Sequence, residues 1–301
     1  MKKVLITGAS GFLGRHALEA MPTDQWPEIH AVSRNAKPGR DSQGVQWHRA
    51  DLLSAHDIAG LMQDIRPTHL LHLAWETSPG QYVDSPQNER WSKMGEDLVR
   101  NFHQYGGQRV VVVGTCMEYD WDIQEDFVED QTPLRPGYRY GQSKRELFLA
   151  LEEYAKDHGL ELAWARVFFV YGPYEQEKRL VASCIQALVH DREFVCRQGH
   201  LIRDYLHARD VGEALSLVLL SAIQGPVNIA SGQGISLGHL IEKIAITIGK
   251  EKLIRIDNPE GPSKSGDRVV GSNNRLKGLQ GWSPRYSLEQ GLKNTIDWWS
   301  R

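Results

Sequence analysis

The chain is expected to fold as a doubly wound α/β protein on a parallel sheet, because apolar runs alternate with helix-like segments through its first half. Those runs are mostly apolar on both faces, as expected of strands covered by helices on each side. A glycine-rich turn, TGASGFLG, stands between the first run and the first helical segment.

The elements follow in order. VLIT (4–7), IHAVS (29–33), VQWHRA (45–50), HLLHLA (69–74) and RVVVVG (109–114) read as strands, with LAWARVFFVYG (162–172) as a sixth. Helical candidates lie between them at 12–21, 54–65, about 88–105 and 140–158. After residue 172 the rhythm breaks, and helical patterns at 179–190, 210–223 and 236–249 alternate with short strands and loops such as NPEGPSKSG (258–266). The reading is a first domain over 1–172 and a smaller region over 173–301, built on the carboxyl edge of the sheet, with some segments returning to it.

Composition narrows the function classes. The 301 residues, 41% hydrophobic and 24% charged, suit an ordinary globular protein with an ample core. A net charge of −3 offers no broad footprint for nucleic acid or an anionic membrane, so anion binding has to be local. Cys116, Cys184 and Cys196 are spaced for neither a disulfide framework nor zinc, and the histidines show no ligand spacing. No metal is expected. His72, inside an apolar strand, reads as a core histidine. The N-terminal apolar run is too short for a signal peptide and none approaches a membrane span, so the expected location is cytoplasmic.

Gly8, Gly11 and Gly14 fall between a strand and a helix, where backbone amides and the helix N-terminus can meet a pyrophosphate. This makes the first domain Rossmann-type. Where strand two ends, an NAD site usually carries an acidic residue for the ribose. Here stand Ser33 and Arg34, with Lys37 and Arg40 nearby. Arg34 can take a 2′-phosphate by charge-assisted hydrogen bonds, so NADP(H) is preferred and NAD(H) remains possible. Asp51 either accepts from adenine or caps the helix that begins near Ser54.

Lys144 lies one helical turn beyond Tyr140, and residues i and i+4 share a face. A fixed cation there can lower the phenol pKa, each unit corresponding to about 1.4 kcal/mol, and can also hydrogen-bond the nicotinamide ribose. Thr115, at the end of the strand before, can hydrogen-bond the same substrate oxygen.

The segments TGASGFLG, HLAW, GTCMEY, YRYGQSK, FFVYGP and RDYLHARDV occur in that order. Together they resemble the extended short-chain dehydrogenase/reductase family, in particular its nucleotide-sugar epimerases, dehydratases and ketoreductases, from residue 3 to about 300. The resemblance implies that Tyr140 is the general acid/base, Lys144 its partner and Thr115 the hydroxyl member. It places Gly8, Gly11, Phe12, Leu13 and Gly14 at the pyrophosphate, Ser33 and Arg34 at the 2′-phosphate, Asp51 and Leu52 at the adenine, and Leu73 and Ala74 beside the cofactor. Arg203 becomes a contact to the nucleotide part of the substrate and Arg268 a second phosphate ligand. Arg179, of the basic pair at 178–179, faces a substrate phosphate or solvent. Trp75 is expected at the substrate mouth, and Glu76 and Glu118 either line the sugar pocket, the preferred reading, or are solvated. A homodimer is implied, through Leu98, Phe102, Leu147, Leu151 and Tyr154 of the helices at 88–105 and 140–158.

The departures are informative. Sugar dehydratases of this family carry an Asp-Glu pair after the Thr, where this chain has Cys116 and Met117. Neither suits acid–base work at neutral pH, which disfavours a 4,6-dehydratase. Cys116 reads as a buried inert thiol before a second acid/base. Phe169 replaces the usual Asn of the YGP motif, and Trp75 replaces an alanine and narrows the substrate mouth. The expectation is an NADP(H)-dependent reductase of a nucleotide-activated keto-deoxyhexose. The alternatives are an epimerase that retains its cofactor and a non-catalytic NADP-sensing regulator, the latter disfavoured because Thr115, Tyr140 and Lys144 are all present.

Overall fold

The computed structural model describes residues 2–36, 38–41, 43–258, 266–279 and 282–301. Lys37 and nearly all of the 258–266 loop lie outside the described residues. In chain order the elements begin β1 (Lys3–Thr7), α1 (Phe12–Glu19), β2 (Glu28–Ser33), β3 (Gly39–Arg40), β4 (Gln46–Arg49) and α2 (Ala55–Ile65). They continue β5 (His69–His72), α3 (Gln87–Gln104), β6 (Arg109–Thr115), α4 (Arg139–His158), β7 (Glu161–Val167), β8 (Phe169–Tyr171) and α5 (Leu180–Val189). Then come β9 (Phe194–Cys196), β10 (Ile202–His207), α6 (Ala208–Leu220), β11 (Gly225–Ile229), β12 (Gly234–Ser236) and α7 (Leu237–Ile248). The chain closes with β13 (Ile254–Ile256), β14 (Arg268–Val269), α8 (Asn274–Lys277) and α9 (Leu288–Trp299).

An eight-stranded sheet runs β11-β7-β6-β5-β1-β2-β4-β3, parallel throughout except for β3 against β4. Alternation along each strand sends side chains to opposite layers. Val4, Ile6, Val111 and Val113 pack with Ala17 of α1 and Val211, Leu215 and Val218 of α6. Leu5, Leu70, Val110 and Val112 pack with Ile58 and Met62 of α2, Leu98 and Phe102 of α3, and Leu147 and Leu151 of α4. This is the expected parallel sheet with helices on both faces. The side chains singled out for a dimer interface belong to this second layer: Leu98, Phe102, Leu147, Leu151 and Tyr154 are all 8% exposed or less within the chain itself.

The sixth strand differs from expectation. It is two strands, broken at Phe168. The register of β6 with β7 ends at Thr115 opposite Val167, because β6 tightens there into a 3-10 turn, Cys116–Glu118. Left without that neighbour, the chain departs from the large sheet and pairs Phe169 with Tyr205 of β10. Strand β11 returns to the large sheet beside β7. The buried Arg109 of β6 binds this return in place, donating to the carbonyls of Val218, Leu219 and Ile223 at 2.7–3.0 Å. A third apolar cluster joins α5, α7 and α9 and holds the smaller region together. Trp299 packs at its edge, and Trp298 meets Tyr174 with ring centres 5.0 Å apart.

Candidate active site

The glycine turn is built to bring backbone close to backbone. Gly8 has φ 68°, and a β-carbon there would stand 2.8 Å from the Ala74 amide nitrogen. One on Gly14 would stand 2.1 Å from the Gly8 carbonyl oxygen. The Gly11 amide closes the turn onto Gly8 O at 2.9 Å, and Gly11 caps the start of α1. Thr7 Oγ1 accepts from the amides of Leu73 and Ala74, both at 3.2 Å, which ties the ends of β1 and β5. The result is a side-chain-free cradle at a helix N-terminus. It fits the diphosphate of a dinucleotide.

The cradle opens into a cleft of about 740 Å³. Every residue expected on the cofactor side borders it, from Gly8 through Ser33, Arg34, Asp51 and Leu52 to Leu73 and Ala74, as do Thr115, Tyr140 and Lys144. Asp51 is not the helix cap. Ser54 caps α2, accepting from the Asp57 amide at 3.3 Å, while Asp51 Oδ1 accepts from Leu53 N at 3.1 Å.

At the chemical end, Thr115 Oγ1 accepts from the Met117 amide at 3.2 Å, which leaves its hydroxyl hydrogen to donate. Tyr140 is buried, and its phenol is pushed above the ordinary range first by desolvation and then by its neighbours Tyr82, Glu118 and Cys116. Lys144 lies one turn beyond Tyr140 on α4, and both side chains are buried. Its Nζ donates to Val113 O at 2.7 Å and lies 3.7 Å from the centre of the Trp75 ring. Burial pulls its pKa down to about 7, against the opposing pull of Glu118.

Trp75, Glu76, Cys116, Arg179 and Arg203 also border the cleft. Trp75 is oriented by donating Nε1–H to Asn88 Oδ1 at 2.9 Å. The Ser78 hydroxyl and amide hold the Glu76 carboxyl below its usual range, with Arg34 adding to the effect. Burial pushes the Cys116 thiol up to about 12, and no thiolate base is available there at neutral pH. Arg203 stacks near Trp121 and Phe169 and donates to the carbonyls of Ile202 and Asp267.

Two expected substrate residues stand elsewhere. Glu118 is wholly buried and pairs with Arg166 Nε at 2.8 Å. It also accepts from Trp164 Nε1 and the Thr115 amide. A carboxylate so enclosed has its oxygens committed to the protein. Arg268 lies on β14, ion-paired with Asp126, and does not border the cleft. His72 is the core histidine expected, with Nδ1 2.7 Å from Thr7 Oγ1 and a pKa lowered to about 3 by burial. Among the described residues no group of three His, Cys, Asp or Glu could hold a metal, and no helix is long and apolar enough to cross a membrane.

The structure adds residues that sequence reasoning missed. Tyr82 sets its ring edge-on to Tyr140 at 4.9 Å and accepts from Arg179 at 3.3 Å. Trp91, Trp121, Glu175 and Tyr205 complete the walls. Tyr82 sits in an aperiodic loop with no signal of its own, anchored by Tyr140 N donating to Val83 O at 2.9 Å.

A doubly wound sheet with a diphosphate cradle and a Thr, Tyr and Lys set at the mouth of β6 defines a dinucleotide-dependent protein of the short-chain dehydrogenase/reductase class. The NAD dependent epimerase/dehydratase family profile matches residues 4–230. The chain belongs to that family. It is 23% identical over 327 residues to dTDP-D-glucose 4,6-dehydratase of Mus musculus, covering 100% of this chain and 89% of that protein. It is 26% identical over 312 residues to UDP-glucuronic acid decarboxylase 1 of Xenopus tropicalis, covering 100% and 72%. Among solved structures, UDP-glucose 4-epimerase of Thermus thermophilus, in complex with NAD, superposes with a TM-score of 0.85 at 26% identity, covering 99% of this chain and 98% of that one.

Proposed function

We propose that this protein is an NADP(H)-dependent reductase of a nucleotide-activated keto-deoxyhexose. The observation that carries the reading is the cleft itself: a diphosphate cradle at one end, and at the other Tyr140 and Thr115 with no ionisable carboxylate at positions 116 and 117. Gly8, Gly11 and Gly14 would hold the dinucleotide diphosphate, Asp51 its adenine, and Arg34 a 2′-phosphate. When bound, the nicotinamide supplies the hydride for the sugar carbon. The chain's own residues manage the proton. The Tyr140 phenol is kept protonated by its burial, so it stands ready as the acid for the carbonyl oxygen. Thr115, its oxygen already accepting from Met117, donates a second hydrogen bond to that oxygen. Trp75, Tyr82 and Trp91 around it exclude water.

A dehydratase is set aside on the same ground. Elimination needs an acid and a base beside the Thr, and here a thiol pushed up to about 12 and a methionine occupy those places. An epimerase with retained cofactor is a second reading, favoured by the full-length likeness to the NAD-bound Thermus epimerase. NADPH absorbance with 4-keto-sugar nucleotides decides between the two. Stoichiometric consumption supports the reductase, and conversion without net consumption supports the epimerase. Absence of turnover across a panel of nucleotide sugars and keto-sugar nucleotides with either cofactor would sink both. A homodimer across α3 and α4 rests on the family resemblance and on Leu149, 41% exposed on α4; light scattering tests it.

A further inference from the structure

The turn that leaves β8 holds a feature the reaction above does not use. Tyr174 has a left-handed backbone, φ 68°, a conformation that costs a non-glycine residue on the order of 1–3 kcal/mol. Contacts on three sides fix it. Glu175 N donates to Gly172 O at 3.3 Å, His16 Nε2 meets Pro173 O at 3.0 Å, and Arg15 and Trp298 each lie 5.0 Å from the Tyr174 ring. The strained turn sends the Glu175 side chain inward. It is 6% exposed, on the wall of the cleft.

Its carboxyl accepts from the Ala182 amide in the first turn of α5, while Oε2 has no hydrogen-bond partner among the described residues. A buried polar atom left unpaired is costly and calls for an explanation. The groups that face it are Arg179, at the start of α5, and Tyr205, on β10. Arg179 acts on Tyr140 and Tyr205 as well, so these side chains share one lobe of the cleft, next to the reacting end. Burial outweighs Arg179 and pushes the Glu175 carboxyl up to about 8. Near neutral pH it carries a proton.

We propose that Glu175 is a substrate-recognition residue whose neutral carboxyl donates from Oε2 to an acceptor oxygen at the sugar–diphosphate junction, beside Arg179. This rests on the nucleotide-sugar reading above. The acceptor is either a phosphoryl oxygen or a sugar oxygen. Both want a donor, and the ionised acid would instead set a negative charge against the diphosphate.

The test is calorimetry on the whole protein with UDP, dTDP, CDP and GDP alone, and with UDP-glucose and dTDP-glucose, at pH 6.5 and 9.0. Wild type, Glu175→Gln and Glu175→Ala are compared, with NADPH binding as the control for folding. One pH unit above 8 leaves about a tenth of the acid neutral, so wild-type affinity should fall about tenfold more than that of Glu175→Gln, which keeps a neutral donor at every pH. Glu175→Ala should bind several-fold more weakly than wild type at pH 6.5. A fall seen with the diphosphates alone assigns a phosphoryl oxygen, and one seen only with the sugar nucleotides assigns a sugar oxygen. If Glu175→Gln loses as much affinity between the two pH values as wild type while NADPH binds normally, the proposal is wrong and the function reading stands. If wild type binds none of the probes at either pH, both fall together.

Discussion

The Lys144 ammonium lies 3.7 Å from the centre of the Trp75 indole, with its hydrogen bond spent on the Val113 carbonyl. Desolvation outweighs the opposing pull of Glu118, and the pKa falls from the ordinary 10.5 to about 7. The unfolded chain then binds the extra proton between pH 7 and 10.5, so this lysine's contribution to stability rises with pH across that window and its full penalty is felt below pH 7. Lys144→Met should therefore raise the melting temperature at pH 6, by on the order of 2 °C per kcal/mol relieved. The gain should fade as pH approaches 10, while turnover is largely lost. Scanning calorimetry at several pH values checks it, and a lower melting temperature at pH 6 would refute it.

Tyr140→Phe removes a proton donor and almost no volume. Turnover should fall about 10²–10⁴-fold, the range of general acid catalysis, with NADPH affinity nearly unchanged. Steady-state kinetics beside a cofactor titration measures both. Near-normal turnover would take Tyr140 out of its role.

Cofactor choice should rest on Arg34. A charge-assisted pair with a 2′-phosphate contributes about 1.5–3 kcal/mol, so Arg34→Ala should weaken NADPH about ten- to a hundred-fold and leave NADH little changed. Adding Ser33→Asp should then reverse the preference, offering the ribose an acceptor and repelling the phosphate. Dissociation constants for both cofactors are the measurement. Equal weakening of the two would end the NADP assignment.

Glu118→Ala should cost about 3–5 kcal/mol of stability, because it strands the Arg166 guanidinium without its buried partner. Urea unfolding reads the loss. If stability is unchanged and only substrate affinity suffers, Glu118 belongs to the cleft after all.

The contrast between Tyr140 and Glu118 explains what the sequence could and could not tell. Tyr140 and Lys144 are related by one helical turn, and Gly8, Gly11 and Gly14 by a single strand-to-helix turn; both patterns are local, so both are legible. The place of Glu118 is decided by Trp164 and Arg166, 46 and 48 residues away, and a charged residue three positions past Thr115 reads the same whether it faces ligand or core. Arg268 was drawn to Asp126 from 142 residues away. Tyr82 and Glu175 reach the cleft through a loop and a strained turn, neither of which has a periodicity to read. The break at Phe168 was hidden for a related reason: an apolar run does not reveal where its neighbour stops.

The return of β11 to the flank of β7 has a consequence for how such a protein can be cut or recombined. Residue 172 looks like a seam, yet a piece ending there would leave the backbone donors and acceptors of β7 open along an apolar edge, a template for aggregation. Nor are the two regions interchangeable parts. Grafting residues 173–301 from a relative with another substrate would also graft a strand of the sheet that carries the cofactor, together with the carbonyls that Arg109 grips. A workable chimera has to leave α6 and β11 with the first region, and exchange only the pieces that wall the cleft.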